Sequence, residues 1–243
     1  MRYMSEPSDL PSHCDGCGKK FGLKHALDCK TGGLITARHD ELRDELCVVG
    51  TQAYSPAAIR DEPYVKSGRN RSGQDQEAAD DSPVRVITRK RGEEEGELRG
   101  DSSIRGLWNR QTDTIIDVRI TNSDAKSYLN KTVAKHLLAQ EKEKKDKYLP
   151  MCREQRKNFT PFVATVDGIL GREAKMMCKQ LAKQLALKWA RPVSVTQQYV
   201  NQTVQVAILR SVHRCIRGAR ASPRRPDHIF LPFEDGAGLG LYR

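Results

Sequence analysis

Four residues near the N-terminus have the types and the spacing of a metal site. Cys14, Cys17, His25 and Cys29 follow one another as Cys-x2-Cys-x7-His-x3-Cys. Thiolate sulfur and imidazole nitrogen are the donors zinc favours, and four of them close a tetrahedron with no position left for water. The two-residue gap lets Cys14 and Cys17 grip from one tight turn, with Gly16 and Gly18 beside them. Such a site is structural, and one zinc ion is the expected cofactor. The other cysteines, Cys47, Cys152, Cys178 and Cys215, stand apart. An odd total of seven argues for a reducing compartment rather than a disulfide framework.

A second set is acidic. Within Asp113 to Thr121, Ile116, Val118 and Ile120 alternate with Asp117 and Arg119. Period two puts the Asp and the Arg on one face of a strand. Asp101 lies upstream across a turn and can end beside Asp117 on a neighbouring strand. Two converging carboxylates make an oxygen-rich site for Mg²⁺ or Mn²⁺, ions that polarise a phosphodiester and activate water. From the strand alone, an ordinary surface pair of Asp and Arg on a wet face is the favoured reading. The next helix adds a cation. Val133, Leu137, Gln140, Lys144 and Tyr148 recur at helical spacing and share one face. Lys144 is then either a functional amine near the carboxylates or a snorkelling side chain at a helix end.

The elements that must position these groups alternate in type. A helix is expected over residues 37–49, with Leu42, Leu46 and Val49 inward. Two short strands lie within 101–121, a long helix over 123–149, and a strand over 160–166. A helix follows over 171–190, with Ala174, Cys178, Leu181, Leu185 and Trp189 on one face. Residues 194–217 read as a last helix, although its β-branched residues argue against that. Glu141–Lys145 and Glu143–Lys147 are expected to pair along the long helix. Val84 to Ile87 is an isolated strand signal. The order gives an α/β (α+β) fold: a small central mixed sheet flanked by helices, with an N-terminal zinc knuckle and extra C-terminal helices.

Taken in order, these residues resemble the restriction-like endonuclease domain found in the C-terminal region of non-LTR retrotransposon polyproteins, after the reverse transcriptase. The matching residues are the knuckle; Arg38-His39-Asp40; Glu62-Pro63; Arg99-Gly100-Asp101; Asp117-Val118-Arg119; and Lys144 to Tyr148. They span roughly residues 14–190. The resemblance implies the PD-(D/E)XK nuclease class. It implies that Asp101 and Asp117 bind magnesium or manganese, that Lys144 supplies the class lysine, and that Glu41 orients a water or the metal. Glu62 matches the Glu of the family's Glu-Pro. Three positions depart from the pattern: Gly100 stands for Pro, Asp40 for Asn, and Arg119 holds the motif's lysine position, where arginine cannot carry a proton.

Domain boundaries follow. Residues 1–33 are the knuckle, 34–65 the first helix and the start of the nuclease-like domain, and 66–98 a flexible insertion. Residues 99–192 are the nuclease-like core, 193–217 a C-terminal helix, and 218–243 a disordered tail rich in Arg, Pro and Gly. The formal net charge is +11, which favours DNA, or RNA, as partner. No apolar run approaches the roughly 20 residues of a membrane span, and the N-terminus has no secretory pattern. An intracellular, nuclear location is expected, the latter from the DNA partner and from the runs Arg89-Lys90-Arg91 and Arg224-Arg225. The leading functional expectation is a metal-dependent DNA endonuclease. A catalytically inactive nucleic-acid-binding module and a transposon remnant are the alternatives.

Overall fold

A computed structural model of the chain describes residues 9–66, 98–122 and 132–221. The strand expected at Val84 to Ile87, nearly all of the insertion, residues 123–131 of the long helix and the tail beyond Ala221 lie outside the described residues.

After a short helix α1 (Leu23–Asp28) comes α2 (Leu34–Ala53). Leu42, Leu46, Val49 and Ala53 recur at helical spacing and are all buried. The helix starts three residues before the expected position because Gly32 and Gly33 turn the chain with φ of 79° and 71°. A side chain at Gly32 would collide with the backbone of Arg220. The strands are β1 (Ile59–Asp61), β2 (Tyr64–Lys66), β3 (Leu98–Arg99), β4 (Ser102–Arg105), β5 (Asp113–Thr121) and β6 (Asn158–Thr165). The helices α3 (Val133–Glu154), α4 (Arg172–Trp189) and α5 (Val193–Arg217) complete the described elements.

The main sheet runs β1-β4-β5-β6. Its first three strands are antiparallel, whereas β5 and β6 are parallel. A parallel pair needs a crossover, and α3 supplies it. The mixed sheet flanked by helices is the architecture expected from the sequence. On one face, Ile116, Val118, Phe162 and Ala164 pack against α2, α4 and α5. On the other, Ile115 and Phe159 pack with Tyr148 and Cys152 of α3. The middle of β5 is therefore covered on both sides, and Asp117 is only 3% exposed. The half-wet strand that would make it a routine surface residue is not what forms.

A two-stranded ribbon of β2 and β3 brackets the start of β4. The Pro63 carbonyl accepts from Gly100 N–H (3.0 Å), the Asp101 carbonyl from Glu62 N–H (3.1 Å), and the Ile116 carbonyl from Asp101 N–H (2.9 Å). Gly100 is buried in this corner. A Cβ there would overlap Cγ2 of the fully buried Ile115 and stand 3.3 Å from the Ile116 carbonyl. The corner thus favours a residue without a side chain at this position. Gly100→Ala is expected to cost about 1–3 kcal/mol by overpacking, read as a lower urea midpoint. An unchanged midpoint would mean that Ile115 moves aside freely.

The C-terminal helices form an antiparallel hairpin. Ala174, Cys178, Leu181 and Leu185 of α4 face inward as expected, while Trp189 stays 39% exposed and meets Tyr199 edge to face. Val200, Val204, Ile208 and Cys215 of α5 are buried. Tertiary packing here outweighs the weak helix propensity of β-branched residues. Two sequence expectations change. Lys145 pairs with Glu173 of α4 at 2.5 Å, and Glu143 with Arg119 at 3.0 Å, so the lysine and Glu143 bond between elements. The tail, expected to be disordered from residue 218, is instead folded through Ala221. Arg220 is buried, lies over the Phe21 ring, and donates to the carbonyls of Ala26 and Cys215.

Candidate metal centre and carboxylate site

The knuckle begins as a tight turn. The Lys19 carbonyl accepts from Cys14 N–H at 2.8 Å and the Cys14 carbonyl from Gly18 N–H at 2.9 Å. This turn presents Cys14 and Cys17. α1 then brings His25 to them, and Cys29 follows directly at its C-terminal end. The four donor atoms lie within 4.8 Å of one another. Cys17 Sγ is 3.3 Å from His25 Nε2, and Cys29 Sγ is 3.9 Å from the sulfurs of both Cys14 and Cys17. The cluster could hold a metal such as zinc.

Its electrostatics agree with that donor set. Burial raises the Cys14 thiol, but the N–H groups of Cys17 and Gly16 and the His25 ring outweigh it and lower the pKa to about 6. A thiolate near neutral pH is the form that binds metal. At Cys17 the Lys19 N–H favours the thiolate, yet burial and the neighbouring sulfurs of Cys14 and Cys29 push the pKa up. Crowded thiolates of this kind are relieved by a cation between them.

The knuckle is fastened to the body. Arg38 of α2 is buried and donates to the Leu27 carbonyl at 3.0 Å. Asn122, just after β5, donates to the Asp28 carboxylate at 3.4 Å. Asp15 accepts from the N–H groups of Arg220 and Ala221 at 2.6 and 3.1 Å.

One residue beyond Arg38, His39 points to the second site. Its Nε2 is 2.9 Å from Asp101 Oδ2, and Nδ1 is 3.2 Å from Asp40. The same Asp101 oxygen accepts from Val118 N–H at 2.6 Å. That bond joins the start of β4 to the middle of β5. Asp117, the residue before Val118, is close enough to Asp101 for their charges to interact. Lys144 reaches in from α3 and places Nζ 2.6 Å from Asp117 Oδ2. The structure therefore brings together Asp101, Asp117 and Lys144, which are distant along the chain.

Burial, and next the charge of Asp101, raise the Asp117 carboxyl above its usual range, against the opposing pull of Lys144 and a hydrogen bond from Tyr148. Burial also acts to raise Asp101, but His39, the Val118 N–H and Lys144 together bring it below the usual range. Burial acts to lower His39, and Asp101 and Asp40 raise it above the usual imidazole value. Protonated His39 and ionised Asp101 stabilise each other. The Asp101 share is complete above about pH 4 and lost as pH falls through its depressed pKa. The His39 share is complete below about pH 6.5 and lost as pH rises through its elevated pKa. His39→Gln is thus expected to cost about 1–2 kcal/mol at pH 5.5 and less at pH 9, measured by urea unfolding. An equal cost at both pH values would show that no charge is involved.

Three expected site residues go elsewhere. Glu41 lies on the side of α2 that faces α5, where Arg214 holds it at 3.1 Å. The Glu62 carboxylate is 55% exposed and faces Arg99 at 3.8 Å, so Glu62 supports Asp101 through its backbone. Arg119 shares the face of Asp117 but is drawn outward to Glu143. His39 takes the position on α2 expected for Glu41. Its inclusion in the Arg38-His39-Asp40 match was the available signal.

No protein-family model matches the chain, and no curated protein matches it. Among the described residues, no helix is long and apolar enough to cross a membrane.

Proposed function

We propose that this chain is a metal-dependent DNA endonuclease domain carrying a structural zinc knuckle. The observation that supports it is the meeting of Asp101, Asp117 and Lys144 at one point of the sheet. Even with Lys144 beside it, Asp117 is raised by burial and by the charge of Asp101, so further positive charge at the pair would be stabilising. Their oxygen donors fit a hard divalent ion such as Mg²⁺ or Mn²⁺. When bound, such an ion supplies Lewis-acid activation of a phosphodiester and of water.

The chain's own groups do the rest. Asp101 is oriented by His39 and the Val118 N–H, both of which bond Oδ2. Lys144 opposes the rise in the Asp117 pKa and places a positive charge where negative charge would build on a scissile phosphate. The knuckle is fastened to the same helix that carries His39, so zinc would serve to fix α2 rather than to react. A protein that binds DNA without metal and never cuts it would select the alternative of an inactive binding module. The deciding measurement is nicking of supercoiled plasmid with Mg²⁺, made on the protein and on Asp117→Asn side by side.

A further inference from the structure

From Ala174 to Ala221 the chain contains nine Lys and Arg residues and no Asp or Glu. At the chain's average composition, about six acids would fall in a stretch of that length. The stretch comprises nearly all of α4 and the whole of α5. On α4 the charge is ordered. Arg172, Lys175, Lys179 and Lys183 are spaced three, four and four apart, so they form one line along the helix. All four are exposed, on the side away from the buried Ala174, Cys178, Leu181 and Leu185. Among the described residues none of the four has an ion-pair partner.

We propose that this outer face of α4 is where the phosphate backbone of duplex DNA lies. Four cations at intervals of about 4.5–6 Å make a linear charge that suits a polymer bearing a charge roughly every 1.7 Å of axis. The line is also attached to the carboxylate site. Lys145, next to Lys144 on α3, pairs with Glu173, next to Arg172 at the head of α4. This ion pair ties the head of the line to α3, one residue from the lysine that meets Asp117. The knuckle is a weaker candidate, because its lysines Lys19, Lys20 and Lys24 share their module with Asp9, Asp15 and Asp28. α2 is worse, since Asp40, Glu41, Asp44 and Glu45 cluster along it. The inference rests on the nucleic-acid reading of the site, and it assigns to α4 the grip that composition alone would give to the chain ends and the knuckle.

The test is binding of a fluorescent 20-base-pair duplex by the full chain in EDTA, measured by anisotropy between 50 and 200 mM salt. Three lysines on three phosphates contribute about 2.7 to the slope of log K against log salt. The triple variant Lys175→Ala, Lys179→Ala, Lys183→Ala should lose that much slope and bind about a hundredfold more weakly near 0.15 M salt. Alanine favours the helix, so its melting temperature should not fall. Lys19→Gln, Lys20→Gln, Lys24→Gln should leave the slope nearly unchanged. An unchanged slope in the α4 variant overturns the proposal, as does a loss confined to the knuckle variant. Loss of binding to phosphatidylserine vesicles by the α4 variant, with its DNA slope intact, would assign the face to a membrane instead. Because binding is read without cleavage, these outcomes are independent of whether Asp117→Asn abolishes nicking.

Discussion

Asp117→Asn should nick plasmid DNA at least about a hundredfold more slowly than the parent in Mg²⁺, while melting at the same temperature or higher. The two effects have one cause. Asn keeps the shape of Asp but cannot ionise, so the pair with Asp101 loses the charge that the proposed cation site needs. Ionised Asp117 is also a burden on the fold, since burial and Asp101 both oppose its charge. A carboxyl whose folded pKa is raised is best tolerated at low pH and costs stability as pH rises through that pKa. The stability advantage of the Asn protein should therefore widen from pH 4 to pH 8. Lys144 loses its partner, but its side chain is 19% exposed and can turn its amine to water. Activity lost with stability kept is the pattern of a functional site that strains its scaffold. Equal nicking by both proteins removes Asp117 from the reaction, and with it the enzyme reading.

The second large effect is on the knuckle. Removing its metal with a strong chelator, or substituting Cys29→Ser, should unfold residues 9–33 and lower the melting temperature of the whole chain. Structural zinc contributes on the order of 10 kcal/mol in isolated finger peptides, and this module has only a small apolar core of its own. Its buried cluster is Cys14, Phe21, Ala26 and Cys29, and two of these four are themselves donors. Limited proteolysis reads the outcome directly, through new cleavage within 9–33 that zinc suppresses. Identical digestion and melting with and without chelator would show that the four donors act only as packing.

The parts of the site that were legible in the sequence are those set by local rules. The knuckle's spacing is short-range, so its donors had little freedom to scatter. The apolar stripe of α2 and the alternation in β5 fixed which face each residue takes. A face does not name a partner, however. On α2, positions 39 and 41 are separated by about 200° of rotation, and only the packing against α5 decides that residue 39 meets the sheet. The same holds for Glu62, whose carboxylate turns to Arg99 while its backbone holds Asp101. Arg220 was hidden for another reason. Its surroundings in sequence are those of a loose tail, and its partners, Phe21, Ala26 and Cys215, lie on three separate segments. The acid-free stretch from Ala174 to Ala221 was visible in the sequence from the start, but the ordering of its lysines into an outward line needed the helix to be oriented.

Arg38 and His39 are consecutive, yet one is anchored to the knuckle and the other to Asp101. A helix turns as a rigid shaft, so these two grips cannot slip independently. Any change that lets the knuckle, with Leu27, swing away from Arg38 rotates the shaft and takes the imidazole off its carboxylate. Damage at Arg38, a residue with no chemistry of its own, is thus transmitted to the place where phosphate would be cut.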